Sequence, residues 1–201
     1  MRKFIRAPEP PFLAMHWQEW GQDWIQRHAN GQPFYWHQVD GEPVNRKLLP
    51  LLRAQTQDHC SFCDHFPVAP PSLPTIEHFR SKTIYPLEAF RWANLFFCCM
   101  HCQQKGFPFS EAVLAPDDPG YEFDRYFRWD HTQGTLEVNE NATLEDRARA
   151  QATIEFFPLN IGHPTQRKMQ LIRRPKHQDE PLDDWPYRDY LGAPPEPIAE
   201  A

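Results

Sequence analysis

The sequence predicts an α+β fold in which one small strand-and-helix core is stapled by a four-cysteine zinc site and wrapped by helices. Three observations predict it. Two Cys-x-x-Cys pairs, Cys60/Cys63 and Cys99/Cys102, supply four thiolates, enough for a closed tetrahedral site that is structural because no coordination position stays open. Short apolar strand patterns, TIEHF and LFFCC, lie between or against those pairs, and helical periodicity flanks them on both sides. A chain of 201 residues suits one core and would cramp two. Its 22 prolines against 8 glycines indicate stiff, extended connections.

Residues 1–57 read as an N-terminal helical region packing on the core. Within residues 12–29, Leu13, Trp17, Trp20 and Trp24 recur at three- and four-residue steps, the stripe of an amphipathic helix. A second helix includes Arg46 to Leu52, with Pro50 limiting its length. Residues 58–115 form the zinc core. They comprise a Cys-x-x-Cys turn, a proline-rich loop through Pro74, the strand TIEHF, a helical turn or two in PLEAFRWAN, the strand LFFCC and the second knuckle. Residues 116–177 add a strand at TLEVNEN, a helix capped by Thr143 and a last helix opened by Pro164. Residues 178–201, proline-rich and acidic, read as an extended tail.

The net charge of −6 argues at first against a nucleic-acid partner, because phosphate neutralisation supplies most non-specific affinity. Seven acids against one base in residues 178–201 account for all of it, so the body of the chain is neutral. No apolar stretch is long enough to cross a bilayer, and the start MRKFIRAPEPP breaks into prolines before a signal-peptide core can form, which together read as a cytoplasmic protein with no membrane partner. Five cysteines in two tight groups suit a metal in a reducing compartment better than a disulfide framework. Cys98 is the spare thiol, and with His101 it offers a competing ligand pair.

Between the knuckles lies Glu77-His78, and Asn94 follows before the second knuckle. Phosphodiester hydrolysis needs a base for water and positive charge against the phosphate. An imidazole such as His78 fits the base, and Glu77 offers an oxygen ligand to Mg2+ or Mn2+. Arg80, Lys82, Arg91 and Lys105 near the motif, with Arg167, Lys168, Arg173, Arg174 and Lys176 in the last helix, are candidates to grip phosphates. His59 and His65 flank the first knuckle closely enough to support it.

The series CSFC, TIEHFRSK and FRWANLFFCCMHC followed by QQKG resembles the HNH (ββα-metal) endonuclease family. Within it, the series is similar to the branch formed by the PtuB component of Septu antiphage systems and its retron-associated relatives. The opening MRKFIRAPEPPFL, the segment DDPGYEFDRYFRWD with TLEV after it, and ATIEFFPLN fit the same branch, so the resemblance covers most of residues 1–175. It implies a ββα-metal core in which His78 is the general base, Glu77 lies beside a catalytic Mg2+ or Mn2+, and Asn94 orients the loop carrying His78. It further implies DNA, in preference to RNA, as substrate, a PtuA-like ATPase as partner, and a role in antiviral defence. The family follows its last cysteine with Asn, two residues and Lys-Gly; here the run is Cys102-Gln103-Gln104-Lys105-Gly106, leaving Gln103, Gln104 or His101 as the remaining ligand to the catalytic metal. That departure sustains an alternative: a zinc-stapled nucleic-acid- or partner-binding module without catalysis.

Overall fold

Proline opens the first helix, at the position where a missing N–H costs nothing. In the computed structural model, which describes residues 1–68, 74–106 and 109–192, α1 (Pro11–Ala29) buries Leu13, Trp20 and Trp24, as their spacing requires. It lies against the 3-10 turn Pro86–Phe90 so closely that a Cβ on Gly21 would stand 2.7 Å from the Leu87 carbonyl oxygen. Trp24 Nε1 donates to the Lys82 carbonyl at 2.7 Å. Helix α1 thus braces the segment that follows His78.

A tight hairpin, β1 (Gln38–Val39) and β2 (Glu42–Pro43), turns through Asp40 and Gly41, both at positive φ (54° and 78°). Helix α2 (Val44–Gln55) then buries Val44, Leu48 and Leu52. Pro50 limits it less than the sequence reading of a helix from Arg46 to Leu52 expects, since the helix runs on to Gln55. The ring is exposed and one hydrogen bond is forfeited, while burial of Leu48 and Leu52 on either side carries the helix through.

Strand β3 (Pro74–His78) pairs antiparallel with β4 (Leu95–Cys99), in unbroken register from Pro74 opposite Cys99 to His78 opposite Leu95. Every residue of β4 is buried, which explains its continuous apolar run, and the short helix α3 (Met100–Gln103) follows directly. Phe62, Phe79, Phe96 and Phe157 pack beneath this pair, with Phe62 and Phe157 stacked at 3.8 Å between centroids. The remainder comprises α4 (Phe123–Tyr126), the hairpin β5 (Phe127–Asp130) and β6 (Thr135–Val138), α5 (Leu144–Phe156) and α6 (Pro164–Arg173). Thr143 caps α5, accepting from Asp146 N at 3.1 Å. The fold is mixed helix and small two-stranded sheets, and among the described residues no helix is long and apolar enough to cross a membrane.

The C-terminal stretch corrects the sequence reading of an extended tail. Through residue 192 it folds back onto the first knuckle, burying Trp185, Tyr187, Arg188 and Tyr190 and ending in α7 (Arg188–Gly192). The prolines Pro194, Pro195 and Pro197 of that expected tail, and part of the loop before Pro74, lie outside the described residues.

Candidate metal centre and adjoining cavity

The β3–β4 pairing brings the two Cys-x-x-Cys turns together. The sulfurs of Cys60, Cys63, Cys99 and Cys102 all lie within 4.8 Å of one another, and all four residues are buried. Cys63 and Cys99 Sγ are 3.7 Å apart. A tetrahedron with Zn–S bonds of ~2.3 Å has edges of about 3.8 Å, so the spacing fits zinc. The packed thiols hold the Cys99 sulfur well below the usual thiol range by hydrogen bonds from Cys102, Cys60 and Cys63, while burial pushes Cys63 up. A cation entering here displaces protons rather than competing with carboxylates. Cys98 is fully buried beside Thr75 Oγ1 at 3.3 Å and stands outside the four-sulfur cluster, as the spare thiol should.

The knuckle is locked from behind. Asp64, next to Cys63, receives Arg188 Nη2 at 2.7 Å and Arg188 backbone N at 2.6 Å, with both side chains 5% exposed. Tyr187 N donates to the Asp64 carbonyl at 2.8 Å, and His59 Nε2 lies 3.0 Å from the Trp185 carbonyl oxygen. His65 Nδ1 lies 3.4 Å from the Tyr187 hydroxyl. Both flanking histidines therefore support the knuckle by tying it to the C-terminal segment.

A cavity of about 350 Å³ adjoins the β3 end of this unit, lined by Phe34, Trp36, Glu77, His78, Lys82 and Gln103, with Ile76, Ser81 and Lys105 completing it. Five of the residues singled out from the sequence motif, Glu77, His78, Lys82, Gln103 and Lys105, thus meet in one place. His78 is the last residue of β3. Its Nε2 lies 3.0 Å from the Ala89 carbonyl oxygen, which can only accept, so Nε2 carries the hydrogen and Nδ1 the lone pair. Nδ1 has no partner among the described residues and is not among the polar atoms sealed from solvent. Trp36 stacks on the ring at 5.6 Å and Phe34 meets it edge-on at 5.5 Å. Burial, then the Lys82 and Lys105 ammoniums, push His78 down to about 3, so it is neutral at physiological pH. Glu77 is buried and ion-paired with Lys105, whose ammonium also donates to the His78 carbonyl and to the Phe79 carbonyl at 3.2 Å. Burial raises the Glu77 carboxyl, opposed by Lys105.

Asn94 lies outside the cavity wall and clamps the chain that leaves it. Its Oδ1 accepts from Arg80 N at 2.7 Å, and its Nδ2 donates to the Arg80 carbonyl at 3.1 Å and the Glu88 carbonyl at 2.9 Å. This side chain fixes both ends of the segment between His78 and its partner Ala89.

Several other expected roles are not met. Arg80 is engaged by Glu111 through two contacts of 2.6 and 2.5 Å, and Arg91 by Glu88 at 3.0 Å, so neither guanidinium faces the cavity uncommitted. His101 is not a cavity ligand: its ring packs on His163 at 4.5 Å and its Nε2 reaches the Pro158 carbonyl at 3.3 Å. Gln104 is exposed and lines no part of the cavity, leaving Gln103. Arg167, expected to meet phosphate, is 1% exposed and donates to the Gly134 and Leu159 carbonyls, and burial lowers its guanidinium. Sequence reasoning missed the wall formed by Phe34 and Trp36, whose only signal is the aromatic run FYWH. No protein-family model matches the chain, and no curated protein matches it.

Proposed function

We propose that the chain is a zinc-stapled phosphodiester hydrolase of the HNH kind, acting on DNA in preference to RNA, with His78 as the proton acceptor. The observation that carries this reading is the cavity itself, where a neutral imidazole with one nitrogen fixed as donor lines the same wall as Glu77, Lys82, Gln103 and Lys105. In the proposed step the water oxygen bonds to phosphorus and the water proton passes to His78 Nδ1, whose basicity, lowered by burial, is raised by the negative charge of the bound phosphate. The bond to the leaving oxygen breaks, and that oxygen takes a proton from the Lys82 ammonium. Asn94 is a positioning residue, acting through the segment that carries Ala89.

The resemblance to HNH enzymes also implies Mg2+ or Mn2+ on Glu77. The donor set does not fit such an ion: Glu77 is the single carboxylate lining the cavity among the described residues, and Lys105 already holds it. No step above runs through a divalent ion. A PtuA-like ATPase partner, cytoplasmic location and an antiviral role follow from the resemblance alone and are part of this proposal.

The lysine on Glu77 and the Gln103-Gln104 run favour a second reading, a nucleic-acid- or partner-binding module without catalysis. Incubation of plasmid DNA and of RNA with the zinc-loaded wild type and His78→Ala, with and without the ATPase, separates the two. The hydrolase reading expects cutting that vanishes in the variant. Nucleic-acid binding with no cutting under any condition leaves the module.

A further inference from the structure

The Lys105 ammonium sits where a catalytic cation would be expected. Its three N–H donors meet three oxygens, from the Glu77 carboxylate and the His78 and Phe79 carbonyls, and an ammonium has no more to give. An oxygen-lined hollow of this kind is also what a hard divalent ion uses. The root of the side chain is fixed as well. Gly106 N donates to the Phe156 carbonyl at 2.6 Å, and a Cβ on Gly106 would stand 3.3 Å from the Glu155 carbonyl oxygen, so the chain is pressed against the end of α5 immediately after Lys105.

Lys82 is the second cation. It lines the same cavity, rests over the Phe34 ring at 5.1 Å, and makes no side-chain hydrogen bond or ion pair with the described residues. With Glu77 matched by Lys105 and His78 neutral, Lys82 leaves the cavity with a net positive charge. A low-dielectric hollow of that sign attracts an anion and repels a dication.

We infer that Lys105 is the resident cation of this site, filling the place of a divalent ion, so that the cavity engages a phosphate group directly through Lys82. The phosphate rests on the hydrolase reading above; the identity of the cation on Glu77 does not.

The test titrates Mn2+ into zinc-loaded full-length protein by electron paramagnetic resonance, and inorganic phosphate by 31P line broadening, in resin-treated buffer. Wild type is expected to show no Mn2+ site that depends on Glu77, whereas Lys105→Gln, which bares the carboxylate, gains at least about tenfold in Mn2+ affinity and loses it again when Glu77→Gln is added. Lys105→Arg keeps the cation, should exclude Mn2+ as wild type does, and guards against a folding artefact, with zinc content as a second check. Phosphate affinity should change by less than about twofold on adding Mg2+ and fall about tenfold in Lys82→Met. Mn2+ binding to wild type that Glu77→Gln abolishes, or phosphate binding only with Mg2+, overturns the inference. Cleavage that needs a divalent ion overturns it too and leaves the hydrolase reading standing. Absence of cleavage in every condition sinks that reading instead, and the Mn2+ titration still decides what occupies Glu77.

Discussion

Replacing Asn94 by alanine removes three hydrogen bonds from a side chain in a residue only 3% exposed, and its cost can be worked from its partners. The Arg80 N–H and the Arg80 and Glu88 carbonyls lose their partner together. A buried group left unsatisfied costs about 1–3 kcal/mol, and because Arg80 and Glu88 are half-buried, water repairs part of the loss. The expected total is about 2–4 kcal/mol, which for a domain of this size lowers Tm by roughly 5–15 °C. Asn94→Asp keeps the acceptor for Arg80 N–H but aims an oxygen at two carbonyls, so it should be no milder. Urea unfolding of the zinc-loaded proteins measures the cost, and cleavage measured where both variants remain folded reads the positioning role. A stability change below about 0.5 kcal/mol would mean that the clamp holds nothing.

Arg188→Met leaves Asp64 buried without its partner and should destabilise by about 3–5 kcal/mol in urea unfolding; a neutral result would show that the C-terminal segment does not hold the knuckle. Stability should fall on acidification, because burial sets the folded His78 at about 3 whereas the unfolded ring titrates at its ordinary 6.5. Between those values the unfolded chain binds the extra proton, so His78 contributes a loss of up to about 1.4 kcal/mol per pH unit, and His78→Phe should flatten that part of the profile. Cys102→Ser should lose zinc and cooperative unfolding together; retention of stoichiometric zinc by that variant would remove Cys102 from the ligand set.

The elements of the candidate metal centre and cavity were legible because their signals are local. Cys-x-x-Cys spacing draws two sulfurs to one point, the apolar run LFFCC marks a strand buried on both faces, and Thr143 three residues before Asp146 marks a cap. Glu77 and His78 were found because they sit between the knuckles. What stayed hidden depends on contacts far apart in sequence. Nothing near Lys105 announces that its ammonium reaches Glu77, and nothing near Arg167 announces that two carbonyls will bury it. Trp185, Tyr187 and Tyr190 were obscured by the acids and prolines around them, although three aromatics within six residues were a signal that this stretch had a surface to cover. Pro50 misled because helix rules price the missing hydrogen bond and omit the tertiary burial of Leu48 and Leu52 that outweighs it.

The central claim is that the zinc centre holds the fold while the neighbouring cavity does the chemistry. The most direct measurement is zinc stoichiometry and nucleic-acid cleavage on the same preparations of wild type and His78→Ala. The account predicts one zinc per chain in both and cleavage only in wild type. Equal cleavage in both, with zinc retained, would contradict it and take the chemistry away from this cavity.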